Sequence, residues 1–176
     1  MEAIGLCSHY SRQGDWAFDY AFRLAGKRDI QLNIFHWLES PFRFRREIVY
    51  LDEKKEKLVR VTDELQVKKE YELREYYESR LGDFVKVGFR LCEGNEGAEL
   101  ARCLHRKEYD LLVMGYPEWG ADFGGQQIER FAANFRVPVV MVGPDKPNSF
   151  HLNKRAVDIV AQLYLKEGEW SLIEAG

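Results

Sequence analysis

Five short apolar runs alternate along this chain with stretches whose apolar residues recur at helical spacing, and that alternation restricts the fold more than any single residue. Ala3-Ile-Gly-Leu-Cys7 predicts a buried strand. Ala17, Phe18, Ala21, Leu24 and Ala25 then repeat at helical spacing, with Gly26 as the predicted stop. Ile30 to Trp37 is a second strand, and Phe84 to Leu91 is a weaker third interrupted by Gly88. Ala98, Ala101 and Leu104 mark a short helix, followed by the strand Asp110-Leu-Leu-Val-Met-Gly115. Ile128, Phe131, Ala132 and Phe135 lie on one helical face, and Val139-Val-Met-Val142 is the fifth strand. Alternation of this kind predicts right-handed crossovers and an open parallel sheet covered by helices on both faces. Ligands of such sheets sit beyond the carboxyl ends of the strands, where the winding reverses. The loops after Cys7, Trp37 and Gly115 are therefore the candidate site.

Residues 1–143 read as one α/β domain and residues 144–176 as an extension. The extension opens on a linker containing Pro144, Pro147, Asn148 and Ser149. Ala156, Ile159, Val160 and Leu163 predict an amphipathic helix within it, and an apolar patch follows at Trp170-Ser-Leu-Ile173. Residues 50–80 alternate in charge over a thin apolar stripe; as one helix they would run about 46 Å, long enough to overhang the domain, so a break or a protruding end is expected.

Apolar residues make up 45% of the chain, which is too many for a disordered segment. The net charge of −3 gives no electrostatic case for nucleic acid. No apolar run is long enough to span a bilayer, and no secretory leader is expected. Cys7, Cys92 and Cys103 are odd in number and lack Cys-x-x-Cys spacing, so a reducing cytoplasm is the expected setting. No metal-ligand spacing appears. Cys7 with His9, and Cys103 with His105, are two residues apart in each case and make no useful nucleophile pair.

Three stretches resemble the universal stress protein family: Asp19-Tyr-Ala-Phe-Arg-Leu-Ala25, Asn33-Ile-Phe-His-Trp37, and Tyr109-Asp-Leu-Leu-Val-Met-Gly115 followed by Arg136-Val-Pro-Val-Val-Met-Val142. The resemblance covers roughly residues 3 to 143. It implies an adenine nucleotide alpha-hydrolase-like α/β sheet of strand order 3-2-1-4-5, stress-linked regulation in the cytoplasm, and a homodimer formed through the Val137–Val142 edge strand. The alternative for that edge is cover by the chain's own tail, or a tail that embraces the second subunit.

Some members of the family bind ATP and others do not. In the binders an Asp after the first strand reads the adenine; here His9 stands there, followed by Tyr10 and Ser11. The binders' phosphate loop, Gly-x2-Gly-x9-Gly-Ser/Thr, begins here at Gly115, but the second position is Glu118 and the third Ile128. Placing Gly125 third makes the next residue Gln126, so the hydroxyl is missing in either register. Glu118 and Asp122 would repel a phosphate, and Pro117 removes a donor. The family-equivalent cleft thus comprises His9, Ser11, Trp37, Gly115, Gly120, Gly124, Gly125 and Gln126.

Alternatives stay open for several features. His9, Tyr10, His36, Trp37, Tyr116 and Trp119 could line a pocket for a planar ligand or simply fill a vacated cleft. Gly124-Gly125 could form an anion nest or a turn requiring positive φ. Phe42-Arg-Phe-Arg-Arg46 could fold over the cleft and meet phosphate, touch nucleic acid, or be a surface turn ahead of the long helix. The leading expectation is a non-enzymatic regulatory or scaffold protein with no cofactor and an unidentified protein partner. The second is a nucleotide-binding module taking ATP with Mg²⁺, and the third a small hydrolase or transferase using His9.

Overall fold

The computed structural model describes residues 1–43, 63–105 and 108–174. In chain order they form β1 (Ala3–Cys7), α1 (Arg12–Arg28), β2 (Gln31–Trp37), β3 (Phe42–Arg43), α2 (Asp63–Leu81), β4 (Val87–Cys92), α3 (Gly97–Leu104), β5 (Leu111–Gly115), β6 (Asp122–Phe123) and β7 (Gln126–Gln127). They continue with α4 (Ile128–Asn134), β8 (Val139–Val142), β9 (Phe150–Leu152), α5 (Lys154–Asp158), a 3-10 turn at Val160–Gln162 and β10 (Trp170–Leu172).

The main sheet runs β4-β2-β1-β5-β8-β9-β10. Its first five strands are all parallel and correspond, in chain order, to 3-2-1-4-5. β5 and β8 have no exposed residue side because both faces are covered. Ile4, Leu6, Leu111, Val113, Val140 and Val142 face α1 and α2, where Phe18, Leu24, Leu73 and Tyr77 meet them. Cys7, Phe35, Leu112, Met114, Val139 and Met141 face α3 and α4, against Leu100, Leu104, Phe131 and Ala132. The period-2 alternation along each strand thus sorts two cores to the two faces.

Local chemistry sets the ends of α1. Ser11 caps it, its Oγ accepting the Gly14 N–H at 3.0 Å. The helix passes the predicted stop at Gly26 and ends at Arg28, because Asp29 adopts φ +52 and donates its N–H to Gly26 O. The long helix expected over residues 50–80 is seen as α2 from Asp63; residues 50–62 lie outside the described residues, as do Phe44, Arg45 and Arg46 of the basic patch.

The extension differs from the expected linker and helix. It contributes two strands: β9 pairs antiparallel with β8, and β10 pairs parallel with β9. Helix is confined to α5 and the 3-10 turn. The edge of β8 expected to pair with a second copy is occupied in this structure by the chain's own β9. Phe150, Leu152, Ala156 and Leu163 join the core beneath α1. Asn153 locks the junction. Its Oδ1 accepts from the N–H groups of Val139 and Ala156, both at 2.9 Å, and its Nδ2 donates to Ala132 O and Val137 O, both at 3.0 Å. Cys92 and Cys103 form a disulfide between the end of β4 and α3, a pairing the spacing did not predict; Cys7 is free and buried. Among the described residues, no helix is long and apolar enough to cross a membrane.

Asn153→Ala would strip partners from four backbone groups, three of these contacts buried and one half-buried, so we expect a loss of about 3 kcal/mol of stability in urea unfolding. A loss below about 0.5 kcal/mol would show that Asn153 does not hold the tail to the sheet.

Candidate functional site

The winding of the sheet reverses between β1 and β5, and the loops that follow them form the candidate cleft. After β1 the chain turns sharply, with Ser11 N–H donating to His9 O at 2.9 Å, and enters α1. A Cβ on Gly14 would lie 1.9 Å from His9 O, so the turn folds directly onto the first turn of the helix. Ser11, a predicted ligand, has its hydroxyl committed to the helix cap.

The aromatic residues at the strand ends pack on one another. The His9 ring lies 4.9 Å from Phe42 of β3, and Phe42 packs edge-on against Phe123 of β6 at 4.8 Å. Trp37 at the end of β2 is 2% exposed and meets Phe123 edge-on at 6.3 Å. Tyr10 stacks on His36 at 4.7 Å and meets the ring of Tyr76 of α2 at a tilt, 4.3 Å away. Ser8 Oγ and Tyr77 OH share a buried hydrogen bond of 2.7 Å, and His36 Nδ1 lies 3.3 Å from the same Oγ. Tyr76 OH and Arg80 both donate to Asp15 Oδ1, fastening α2 to α1 beside this group. Trp119 does not join the cluster; it is 69% exposed.

Burial pushes the His9 pKa down to about 4. His36 is likewise lowered to about 4, by burial first and then by the charges of Lys69 and His9, against the opposing pull of Glu72. Both imidazoles are therefore neutral at pH 7. Burial also raises the Cys7 thiol far above its usual range, which removes it as a nucleophile.

The segment expected to hold phosphate is a hairpin. β3, β6 and β7 make a separate antiparallel sheet, Phe42 opposite Phe123 and Phe123 opposite Gln126. Gly124 and Gly125, with φ of +64° and +93°, are the two central residues of its turn, and consecutive positive φ is what a type I′ turn requires. Gly124 N–H donates to Pro41 O at 2.9 Å. A Cβ on Gly124 would lie 2.2 Å from Leu100 Cδ2, so the turn rests on α3, and Glu96 faces Gly125. Gly124 and Gln126 line a cavity of about 270 Å³ between α3 and α4, with His105 and Arg136, rather than the crevice between β1 and β5. Gly120 sits in the loop before the hairpin with φ +83° and open space around it. Gly115 is pressed against α1, where a Cβ would come within 2.9 Å of Gln13 O.

Glu129 was not among the expected residues. It lies in the first turn of α4, is 4% exposed, and its Oε1 accepts Tyr116 OH at 2.6 Å. A carboxylate there takes up the positive end of the helix dipole that an anionic ligand would use. Its burial is not legible from periodicity, since it falls beside the apolar stripe of α4; the cue is the phenol of Tyr116 placed at the end of β5. Among the described residues, no group of three or more His, Cys, Asp or Glu is placed to hold a metal.

An open parallel sheet with this strand order, and a loop-built cleft at its β1/β5 reversal, defines a nucleotide-binding-like α/β protein. The chain belongs to the universal stress protein family, whose model matches residues 3–143. It is similar in structure to a universal stress family protein from Burkholderia pseudomallei at 23% identity and a TM-score of 0.44, over 81% of this chain and 96% of that one. It is also similar to universal stress protein UspA from Lactobacillus plantarum at 12% identity and a TM-score of 0.40, over 98% and 97%. No curated protein matches it. Family membership makes it a stress-response protein.

The depressed His9 and His36 pKa values have a definite consequence for pH. The unfolded chain takes up protons on these groups below about pH 6.5, while the folded chain resists until about pH 4. Their contribution is thus fully present above pH 6.5 and is lost as pH falls toward 4. Thermal midpoints should drop across that window, and His9→Gln with His36→Gln should flatten the drop. An unchanged slope in the double variant would exclude these two imidazoles as its source.

Proposed function

We propose that this protein acts in the stress response as a non-enzymatic regulatory or scaffold protein that does not bind ATP tightly. The observation that carries this reading is the hairpin at residues 122–127. Its two glycines serve a turn seated on α3, and the Gly124 N–H, which an anion nest would need, is bonded to Pro41 O. Support also comes from Glu129, whose buried carboxylate already lies in the first turn of α4. The packing of His9 on Phe42 fills the place where an adenine reader would stand. The same packing speaks against the hydrolase alternative: the His9 ring lies against Phe42, and His36 Nδ1 is turned to the buried Ser8 hydroxyl, which is shared with Tyr77.

The cytoplasm remains the proposed setting, and there the Cys92–Cys103 pair would be subject to reduction. Because β9 occupies the outer edge of β8, a dimer paired through Val137–Val142 would require the tail to move; we propose that a chain carrying this tail does not assemble through that edge. Protein partners are read instead onto the exposed face of α2, where Val67 and Tyr71 are each 68% exposed.

Thermal unfolding with and without millimolar ATP and Mg²⁺ tests the reading. No shift is expected with ATP, ADP or AMP. A ligand present at about a hundred times its dissociation constant would add about 2.7 kcal/mol, and a clear upward shift of that order would favour the nucleotide module. Phosphate release above background would revive the enzyme.

A further inference from the structure

A cavity of about 390 Å³ lies between α1 and the tail, on the opposite side of the sheet from the 122–127 hairpin. That volume is within the range of small-molecule sites, about 300–1,000 Å³. Leu24, Phe150, Leu163 and Leu165 give it apolar walls. Tyr20 fastens the two sides, its buried OH donating to Leu163 O at 2.8 Å.

The charge around it is one-sided. Arg23 and Lys27 stand one turn apart on α1, and Lys166 comes from the tail. Glu169 is the one carboxylate among the lining residues, and its Oε2 accepts the Lys166 N–H at 3.0 Å, which ties it to its own turn. Among the lining side chains three cations face one carboxylate, an excess of two positive charges; the Asp19 carboxylate, which attracts Arg23, lies outside the lining. Asp19 lies one turn back on α1, where its backbone oxygen accepts from Arg23 Nε at 3.4 Å.

Tyr164 is the second, independent sign. It holds φ +55°, a conformation that a side chain with a Cβ adopts at a cost, yet it is 55% exposed and so is not held there by burial. The turn instead sets its ring at the cavity, 4.9 Å from the Lys27 ammonium. The left-handed turn that ends the 3-10 segment thus leaves an exposed aromatic ring beside a cation at the cavity.

We propose that this cavity binds a small organic anion: an apolar or aromatic body between Leu24, Phe150 and the Tyr164 ring, and a phosphate or carboxylate held by Arg23, Lys27 and Lys166. The site is independent of the cleft at β1 and β5, so it stands whether or not that cleft takes a nucleotide.

The test is a titration of the ¹⁵N-labelled chain of residues 1–176 with phenyl phosphate, benzoate and the neutral benzyl alcohol. Phenyl phosphate or benzoate should shift the amide signals of residues 20–27 and 163–169 saturably, with a dissociation constant of about 1 mM or tighter. The tighter of the two identifies the anion class. Benzyl alcohol should shift them far less at equal concentration. In Arg23→Ser/Lys27→Ser, whose sites are on the surface, binding should weaken at least about tenfold while the remaining spectrum stays in place. The proposal is overturned by non-saturable shifts with both anions, by equal shifts with benzyl alcohol, or by undiminished binding in a double variant that keeps its spectrum.

Discussion

The close approach of β5 to the first turn of α1 governs the carboxyl end of the sheet. Gly115 and Gly14 are glycine because the backbone of Gln13 and the carbonyl of His9 lie where their Cβ atoms would be. That contact draws the end of β5 against the first turn of α1, onto which the loop that follows β1 folds. Gln13 reinforces the seam, its Nε2 donating to Pro144 O at 3.1 Å and thereby reaching the start of the tail. In a sheet whose strands are buried on both faces, the space above such a seam is the one place where the chain chooses between a ligand and its own side chains. Here side chains take it, with His9, Phe42, Trp37 and Phe123 packed in a continuous aromatic group.

The same economy appears at the sheet's far edge. A four-residue apolar strand with an open edge would recruit another strand. β9 closes it from within the chain, and Asn153 satisfies the backbone groups where β8 begins. Closing the edge also brings the tail against α1, which creates the cavity ringed by Arg23, Lys27 and Lys166. Extension, edge and cavity are thus consequences of one pairing.

Much of the central fold was legible in the residues, because β1, β5 and β8 are unbroken apolar runs and the helices between them carry clean apolar stripes. The order 3-2-1-4-5 came from the family resemblance; spacing alone allows others. The tail strands were not legible. Phe150-His-Leu152 is three residues long, follows a proline-rich stretch, and owes its strand conformation to the β8 edge rather than to its own pattern. Within the site, Asp122-Phe-Gly-Gly-Gln-Gln127 did carry a signal, since two glycines between short flanks mark a two-residue hairpin; the strand-glycine-helix context drew attention to a phosphate nest instead. The Tyr116–Glu129 hydrogen bond and the Cys92–Cys103 bridge join residues only 13 and 11 positions apart, but each pair meets across the connection between a strand and a helix, and strand or helix periodicity does not report that geometry.

A crystal structure of residues 1–176 grown in millimolar ATP and Mg²⁺ tests the central claim most directly. The account predicts that Phe42 stays packed on His9 and Phe123, that Gly124 N–H stays bonded to Pro41 O, and that the space between β1 and β5 holds no nucleotide. An adenine seated beside His9, with the 122–127 hairpin lifted from α3 and its amides turned to the phosphates, would contradict it.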